Sequence, residues 1–109
     1  MLLCISADYT PEALTAMINN PSNRQEALGN LCEAAGAKLV AMYGTLTNGP
    51  GAMAIIDAEP IVGPAICGVI ASSGKVRNVQ MTRLFTMDEI AQIRQKRGEL
   101  TAAYKAPGQ

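Results

Sequence analysis

The feature that most constrains the fold is a tight turn between two apolar runs. In "TLTNGPGAM", residues 45–53, the pair Asn48-Gly49 separates the runs "AKLVAMYGTL" and "AMAIIDA". An Asn-Gly pair supplies the two positive φ angles of a tight hairpin turn, so the runs are predicted to be paired antiparallel strands. The glycines match neither a dinucleotide fingerprint nor a P-loop, because the residues after them read as a strand. We therefore interpret the loop as a turn and not as a phosphate site.

Helix starts and further strands complete the order. "MLLCISADY" and "KVRNVQMTRLF" read as strands, and "EPIVGPAICGVIASSG" reads as a helix, with small residues at Gly63, Cys67 and Ala71 that favour close packing. The order is β-α-β-β-α-β with an added C-terminal helix, which predicts an α+β, ferredoxin-like fold with helices on one face of a four-stranded antiparallel sheet. Hydroxyl residues are predicted to cap three helices: Thr10 before Pro11, Ser22 with Gln25, and Thr86 with Glu89.

The helical segments carry apolar stripes that predict their buried faces. In the first helix the stripe is Leu14, Met17 and Ile18, and "PSN" then interrupts the helix before a second segment begins. The second segment carries Leu28, Leu31, Cys32 and Ala35, and the last helix carries an amphipathic stripe of Ile90, Ile93, Arg97, Leu100 and Tyr104.

The second face of the predicted sheet needs a cover. Its strand residues are apolar or neutral, which suits contact with protein better than contact with water. A chain of 109 residues with one Phe and no Trp also has a light aromatic core, so burial in an oligomer would add stability. We therefore predict that the sheets of two copies pair as a dimeric α/β barrel or form a larger homo-oligomer.

The net charge of the chain is zero, but its charged residues are unevenly distributed along the sequence. Residues 1–74 hold two basic and six acidic side chains, whereas residues 75–109 hold seven basic and three acidic ones. No aromatic residues interleave the basic ones, so we predict no nucleic-acid partner. No apolar run approaches 18 residues and no signal-peptide pattern is present, so we predict no membrane partner and a cytoplasmic location.

Metal and catalytic signals are sparse. The three cysteines, Cys4, Cys32 and Cys67, form no CxxC pair, and the chain contains no His, so the usual zinc spacings are absent. We expect free thiols in a reducing compartment, no metal and no cofactor. Without His there is no imidazole base, and no cysteine has a basic neighbour in sequence to activate it.

Polar residues on the predicted strands are the best candidates for a binding site. A mostly apolar pocket between sheet and helices, with a few converging polar groups, could bind a small anionic or carbonyl compound. The alternative is that these residues lie at strand ends with ordinary partners, where Asp8 or Asp57 could meet Arg77 or Arg83. The candidates for the pocket are Tyr43, Asp57, Asn78, Gln80 and Arg83.

Three stretches together resemble a known family. "YTPEA", "NRQEALGNLCEAAGAKLVAMYGTL" and "SSGKVRNVQMTRLFTMDEI" are similar to GYD-domain proteins, over roughly residues 3–93. These are small bacterial and archaeal domains placed with the dimeric α/β-barrel superfamily. Their Gly-Tyr-Asp triplet would fall just after Tyr43-Gly44-Thr45-Leu46, where this chain reads "TNGPGA", so any role of its Tyr and Asp is not carried over.

The resemblance implies the fold and a homo-oligomer but no single activity. The superfamily includes cofactor-independent monooxygenases, lactone isomerases and haem peroxidases, and the last use a His ligand that this chain lacks. Three hypotheses follow: a small-molecule-binding or structural domain, a cofactor-independent enzyme using Tyr43 and a carboxylate, or an assembly partner of a larger enzyme acting through the basic last helix. We predict a domain over residues 1–97 and a helix end with a frayed tail over 98–109.

Overall fold

Four strands form one antiparallel sheet in the computed structural model, which describes residues 1–109. The sheet order β2-β3-β1-β4 confirms the predicted ferredoxin-like α+β fold. The elements are β1 (Leu2–Tyr9), α1 (Pro11–Asn19), α2 (Arg24–Ala34), β2 (Lys38–Leu46), β3 (Pro50–Asp57), α3 (Val62–Ser72), β4 (Val76–Leu84) and α4 (Met87–Leu100), followed by a 3-10 turn at Thr101–Ala103. The domain division after residue 97 stays a prediction.

The hairpin between β2 and β3 is confirmed, but its turn differs from the prediction. Leu46 pairs with Pro50, which leaves a loop of residues 47–49, and in this loop only Gly49 has a positive φ, of +97°. The predicted pair of positive φ angles is therefore wrong. A three-residue hairpin loop needs a left-handed conformation only at its last position, and glycine supplies it there.

Two of the three predicted helix caps are confirmed, and one is wrong. Thr10 and Thr86 cap α1 and α4 as predicted, and Thr86 takes part in a complete capping box. The cap predicted at Ser22 is wrong, because Asn23 accepts the backbone N–H of Glu26 at 3.0 Å. An asparagine oxygen caps as well as a serine oxygen, so α2 begins one residue later than expected.

The core lies between one face of the sheet and the helices α2 and α3. A Cβ atom added at Gly63 would collide with the side chain of Leu3, so the glycine lets α3 approach β1. Close packing of α3 is thus confirmed at Gly63, whereas Ala71 is exposed. The buried cluster consists of Leu3, Ile5, Cys32, Ile56, Ala58 and Ile66.

The other face of the sheet carries no helix, and we call it the open face. Residues directly opposite in antiparallel strands point to the same side of the sheet, so the register assigns each row to a face. Half-buried apolar side chains occupy the centre of the open face at Cys4, Met53 and Ile55. Its rows are Ala41–Ile55–Cys4–Thr82, Tyr43–Met53–Ser6–Gln80 and Thr45–Gly51–Asp8–Arg77.

Helix α4 extends away from the sheet. The chain measures 60 × 33 × 21 Å and has a radius of gyration of 17.9 Å, against about 13 Å for a compact chain of this size. No residue of α4 is buried, and Met87 is 75% exposed; Tyr104, predicted to lie in this helix, follows the 3-10 turn after its end and is 70% exposed. None of the helices is both long and apolar enough to cross a membrane.

Candidate functional site

A cavity of about 440 Å³ lies between the helix-covered face of the sheet and the three helices α1, α2 and α3. Sixteen of its 22 lining residues are hydrophobic. Binding pockets for small molecules have about 300–1,000 Å³ and the same mainly apolar lining. The cavity is therefore large enough to hold a small organic molecule.

Helix α1 forms one wall of the cavity. Its lining residues Ala13, Ala16 and Met17, with Asn20 just after the helix, have the i, i+3, i+4, i+7 spacing of a single helix face. The stripe predicted for α1 is wrong at Ile18, which is 79% exposed. Small alanine side chains on the inward face leave open the space that larger residues would fill.

The sheet forms the floor of the cavity with small side chains at its centre. On β3 the lining residues are Ala52, Met53 and Ala54; Ala52 and Ala54 lie in rows of the helix-covered face, whereas Met53 between them lies in a row of the open face. Ile5 on β1 and Met42 on β2 flank Ala54 in the same cross-strand row. Alanines of the sheet and of α1 thus line the cavity from two sides.

Two cations line the cavity, and no Asp or Glu does. The main-chain carbonyl of Lys75 accepts the N–H of Thr10 at 3.0 Å, which places Lys75 at the start of α1. Arg24 begins α2, shortly after α1 ends, and the nine residues of α1 span about 13 Å. The two cations therefore stand at opposite ends of α1, and neither forms an ion pair.

None of the five predicted pocket residues lines this cavity. Tyr43 and Gln80 share a row of the open face, with β3 and β1 between them, so their backbones are about 14 Å apart. Asn78 lies near the end of the sheet occupied by Asp8, whereas Asp57 lies at the opposite end.

Arg83 and Asp57 have local partners. Arg83 opposes the buried Leu3, binds Glu89 at 3.4 Å and stacks on the ring of Phe85 at 4.2 Å. The carboxylate of Asp57 accepts a hydrogen bond from the N-terminal ammonium group at 2.9 Å. The suggested ion pairs of Asp8 or Asp57 with Arg77 or Arg83 are absent. The structure does not bring the five residues together, and ligand contact by any of them stays a prediction.

A buried carboxylate on the open face has a niche built around it. Asp8 is only 7% exposed and accepts a hydrogen bond from the side-chain amide of Asn78 at 2.9 Å. Asn78 has a φ of +54° where the β1–β4 register shifts. A Cβ atom at Gly51 would lie 3.0 Å from the Asp8 carboxylate and would collide with the Ala7 carbonyl. Glycine in the "NGPG" motif therefore makes room for Asp8 as well as for the turn.

Two ionisable groups have shifted pKa values, and neither lines the cavity. Burial raises the pKa of the Cys32 thiol, so this cysteine is a packed core residue and a poor nucleophile. The backbone N–H of Thr86 bonds the carboxylate of Glu89 and lowers its pKa. All three cysteines are free, and no three metal-binding side chains lie together.

Sequence reasoning missed the residues that line the cavity. The alanines of α1 and β3 carry no chemical signal, and Arg24 and Lys75 are separated by two helices and two strands in the chain. The only usable signal was that Arg24 is one of just two basic residues before Lys75.

Comparison with known proteins finds a family match. A family model described as "GYD domain" matches residues 4–93, from β1 into α4. No curated protein matches the chain. The match covers the sheet, the cavity and the first half of α4, and it confirms the resemblance seen in the sequence. The chain therefore belongs to the GYD-domain family.

Proposed function

We propose that this protein is a small-molecule-binding domain whose ligand occupies the cavity between the sheet and α1. The observation that carries the proposal is the cavity itself, which combines a volume of about 440 Å³ with a mainly apolar lining and a few polar groups. Burial of an apolar ligand there contributes about 25 cal/mol for each Å² removed from water.

Binding is favoured over catalysis by the groups that the cavity contains. Its ionisable lining residues are Tyr9, Arg24 and Lys75, with no carboxylate and no thiol. The enzyme hypothesis used Tyr43 and a carboxylate, and these lie outside the cavity. A general base must lie within hydrogen-bond reach of the proton it removes, so a ligand in the cavity would lack those groups.

A thermal-shift screen with a cavity-filling variant tests the proposal. A ligand at 100 times its Kd should raise the Tm by about 10 °C or more, because it stabilises the fold by about 2.7 kcal/mol. Ala16→Leu narrows the cavity and should abolish this shift. Ala65→Leu, on an exposed position of α3 outside the cavity, should preserve it. A ligand that stabilises the Ala16→Leu variant as much as the parent contradicts the assignment.

A second role, self-association, is favoured by surfaces that a single copy leaves uncovered. Met53 and Ile55 present apolar side chains on the open face, and α4 presents Met87 and Ile93. Residues 1–74 are acidic and residues 75–109 are basic, so the α4 region of one copy complements the rest of another in charge. We propose a homodimer or larger homo-oligomer that covers the open face.

Light scattering at micromolar concentration tests self-association. The parent protein should have at least twice the mass of one chain, and Ile55→Lys should reduce it to one chain by placing a charge in the interface. Ala65→Lys is the control on the opposite side of the sheet. A monomeric parent contradicts the proposal. The exposed apolar residues of α4 would then be expected to contact a different protein, and deletion of residues 98–109 should abolish co-purification of that partner.

The state of the cysteine thiols indicates a cellular compartment for the protein. All three cysteines are free, and unpaired cysteines are typical of reducing compartments. We therefore propose the cytoplasm, which localisation of a tagged full-length chain would test.

A further inference from the structure

We infer that the ligand of the cavity is an amphipathic acid, with an apolar body along α1 and a carboxylate or similar oxyanion at the Arg24 end. This inference rests on the proposed function and specifies the chemistry of its ligand. It depends on three observations: the sign of the charges in the lining, the free donors at one end, and the shape of the apolar part.

The charges in the lining have one sign. Arg24 and Lys75 are the only charged lining residues, and neither has an acidic partner. An unpaired guanidinium beside an apolar surface attracts a carboxylate, and its planar set of donors suits two-point contact with one. A cationic ligand would meet like charge at both ends of the cavity.

The Arg24 end offers more free donors than the Lys75 end. Nη1 of Arg24 donates to the hydroxyl oxygen of Ser22 at 3.0 Å, so the Ser22 hydroxyl proton remains available to a ligand. The amide of Asn20 lines the same end. At the other end, the Ser73 hydroxyl already donates to the Ile70 carbonyl at 2.7 Å. The acidic group is therefore assigned to the Arg24 end.

The apolar body follows the inward face of α1. The cavity-lining residues from Ala13 to Asn20 span about 10 Å of helix rise. Opposite them lie alanines of β3 and, from α2, Leu28 and Leu31. A straight alkyl chain or a flat ring system fits a space that is long, apolar and bounded by a helix and a sheet.

Calorimetric titration of the full chain with two matched probes tests the inference. Octanoate and octan-1-ol share an alkyl chain and differ in charge. We expect octanoate to bind at least tenfold more tightly than octan-1-ol, because hydrogen bonds to a charged group are the stronger ones. Hexanoate has two methylene groups fewer than octanoate, and each methylene group removed should weaken binding by up to about fourfold.

Two variants locate the charge. Arg24→Gln should weaken octanoate about tenfold and leave octan-1-ol unchanged. Arg94→Gln removes an exposed arginine of α4 outside the cavity and should change neither probe. Circular dichroism of each variant confirms that the fold is retained.

The outcomes separate this inference from the function on which it rests. Equal binding of octanoate and octan-1-ol, or unchanged octanoate binding by Arg24→Gln, overturns the acidic ligand and leaves the cavity as a binding site. If neither probe binds but the thermal-shift screen finds neutral ligands, the acidic ligand is again overturned and the cavity remains a binding site. Failure of both probes with no hit at all overturns the inference and the proposed function together.

Discussion

Replacing Gly63 by alanine should destabilise this protein, although alanine is the better helix former. Gly63 is buried in the first turn of α3, and an added Cβ atom would collide with Leu3 Cδ1. Leu3 is 2% exposed and packed within the core cluster, so its side chain has no free space to enter. The added methyl group must therefore displace α3 or force Leu3 from its rotamer.

The magnitude follows from two opposed effects. Overpacking a core costs about 1–3 kcal/mol, and the change from glycine to alanine in a helix returns up to about 1 kcal/mol. We expect the free energy of unfolding to fall by about 1–2 kcal/mol in Gly63→Ala. Gly68 lies in the same helix with no atom within 4 Å of its added Cβ, so Gly68→Ala should raise it by about 0.5–1 kcal/mol.

Urea unfolding followed by far-UV circular dichroism measures both changes. The Leu3→Val background removes the atom that the new methyl group would strike. In that background Gly63→Ala should be neutral or stabilising, which corresponds to a coupling energy of at least about 1 kcal/mol. A Gly63→Ala variant as stable as the parent, or one equally destabilised in both backgrounds, would refute the packing explanation.

Three further predictions test the hairpin, the core thiol and the start of α4. Gly51→Ala should cost at least about 2 kcal/mol of stability, because its Cβ meets the main chain of β1; Gly44→Ala, whose nearest contact is an ordinary 3.9 Å, should change stability by under about 1 kcal/mol in the same urea assay. Cys32 should react with a thiol reagent only after unfolding, since burial raises its pKa, and labelling as fast as at the two half-exposed cysteines would contradict this. The pKa of Glu89 is lowered, so its stabilising hydrogen bond with Thr86 is complete above the ordinary pKa of glutamate and is lost as the pH falls through the lowered pKa. The protection of the Thr86 amide, that is, the factor by which its hydrogen exchange is slower than that of an unstructured peptide at the same pH, should fall there, and Glu89→Gln should remove that pH dependence.

Much of the fold was predictable because neighbours in the chain determine it. Thr10 and Thr86 cap their helices with oxygen atoms that reach the backbone only three residues ahead. The glycine of the turn permits a backbone angle at its own position. The error in the caps was equally local: Asn23 caps α2 in place of Ser22, because two residues that both suit a helix N-cap are adjacent in the chain.

The candidate site was less predictable because it depends on which face of the sheet each residue occupies. The register shift between β1 and β4 places Asn78 against Asp8, and the same sheet sends Arg83 to the helix-covered face. Tyr43 and Gln80 fall on opposite edge strands of the open face. Five polar residues on strands therefore formed no single pocket.

The sequence by itself determined the order of strands and helices, the hairpin and the GYD family, because periodicity, caps and turns are properties of adjacent residues. Only the tertiary structure decided where the cavity lies and what lines it. Arg24 and Lys75 meet the same cavity from opposite ends of α1, after the chain has crossed the sheet twice between them. That convergence comes from the packing of α1 above the alanines of the sheet, which no short-range pattern records.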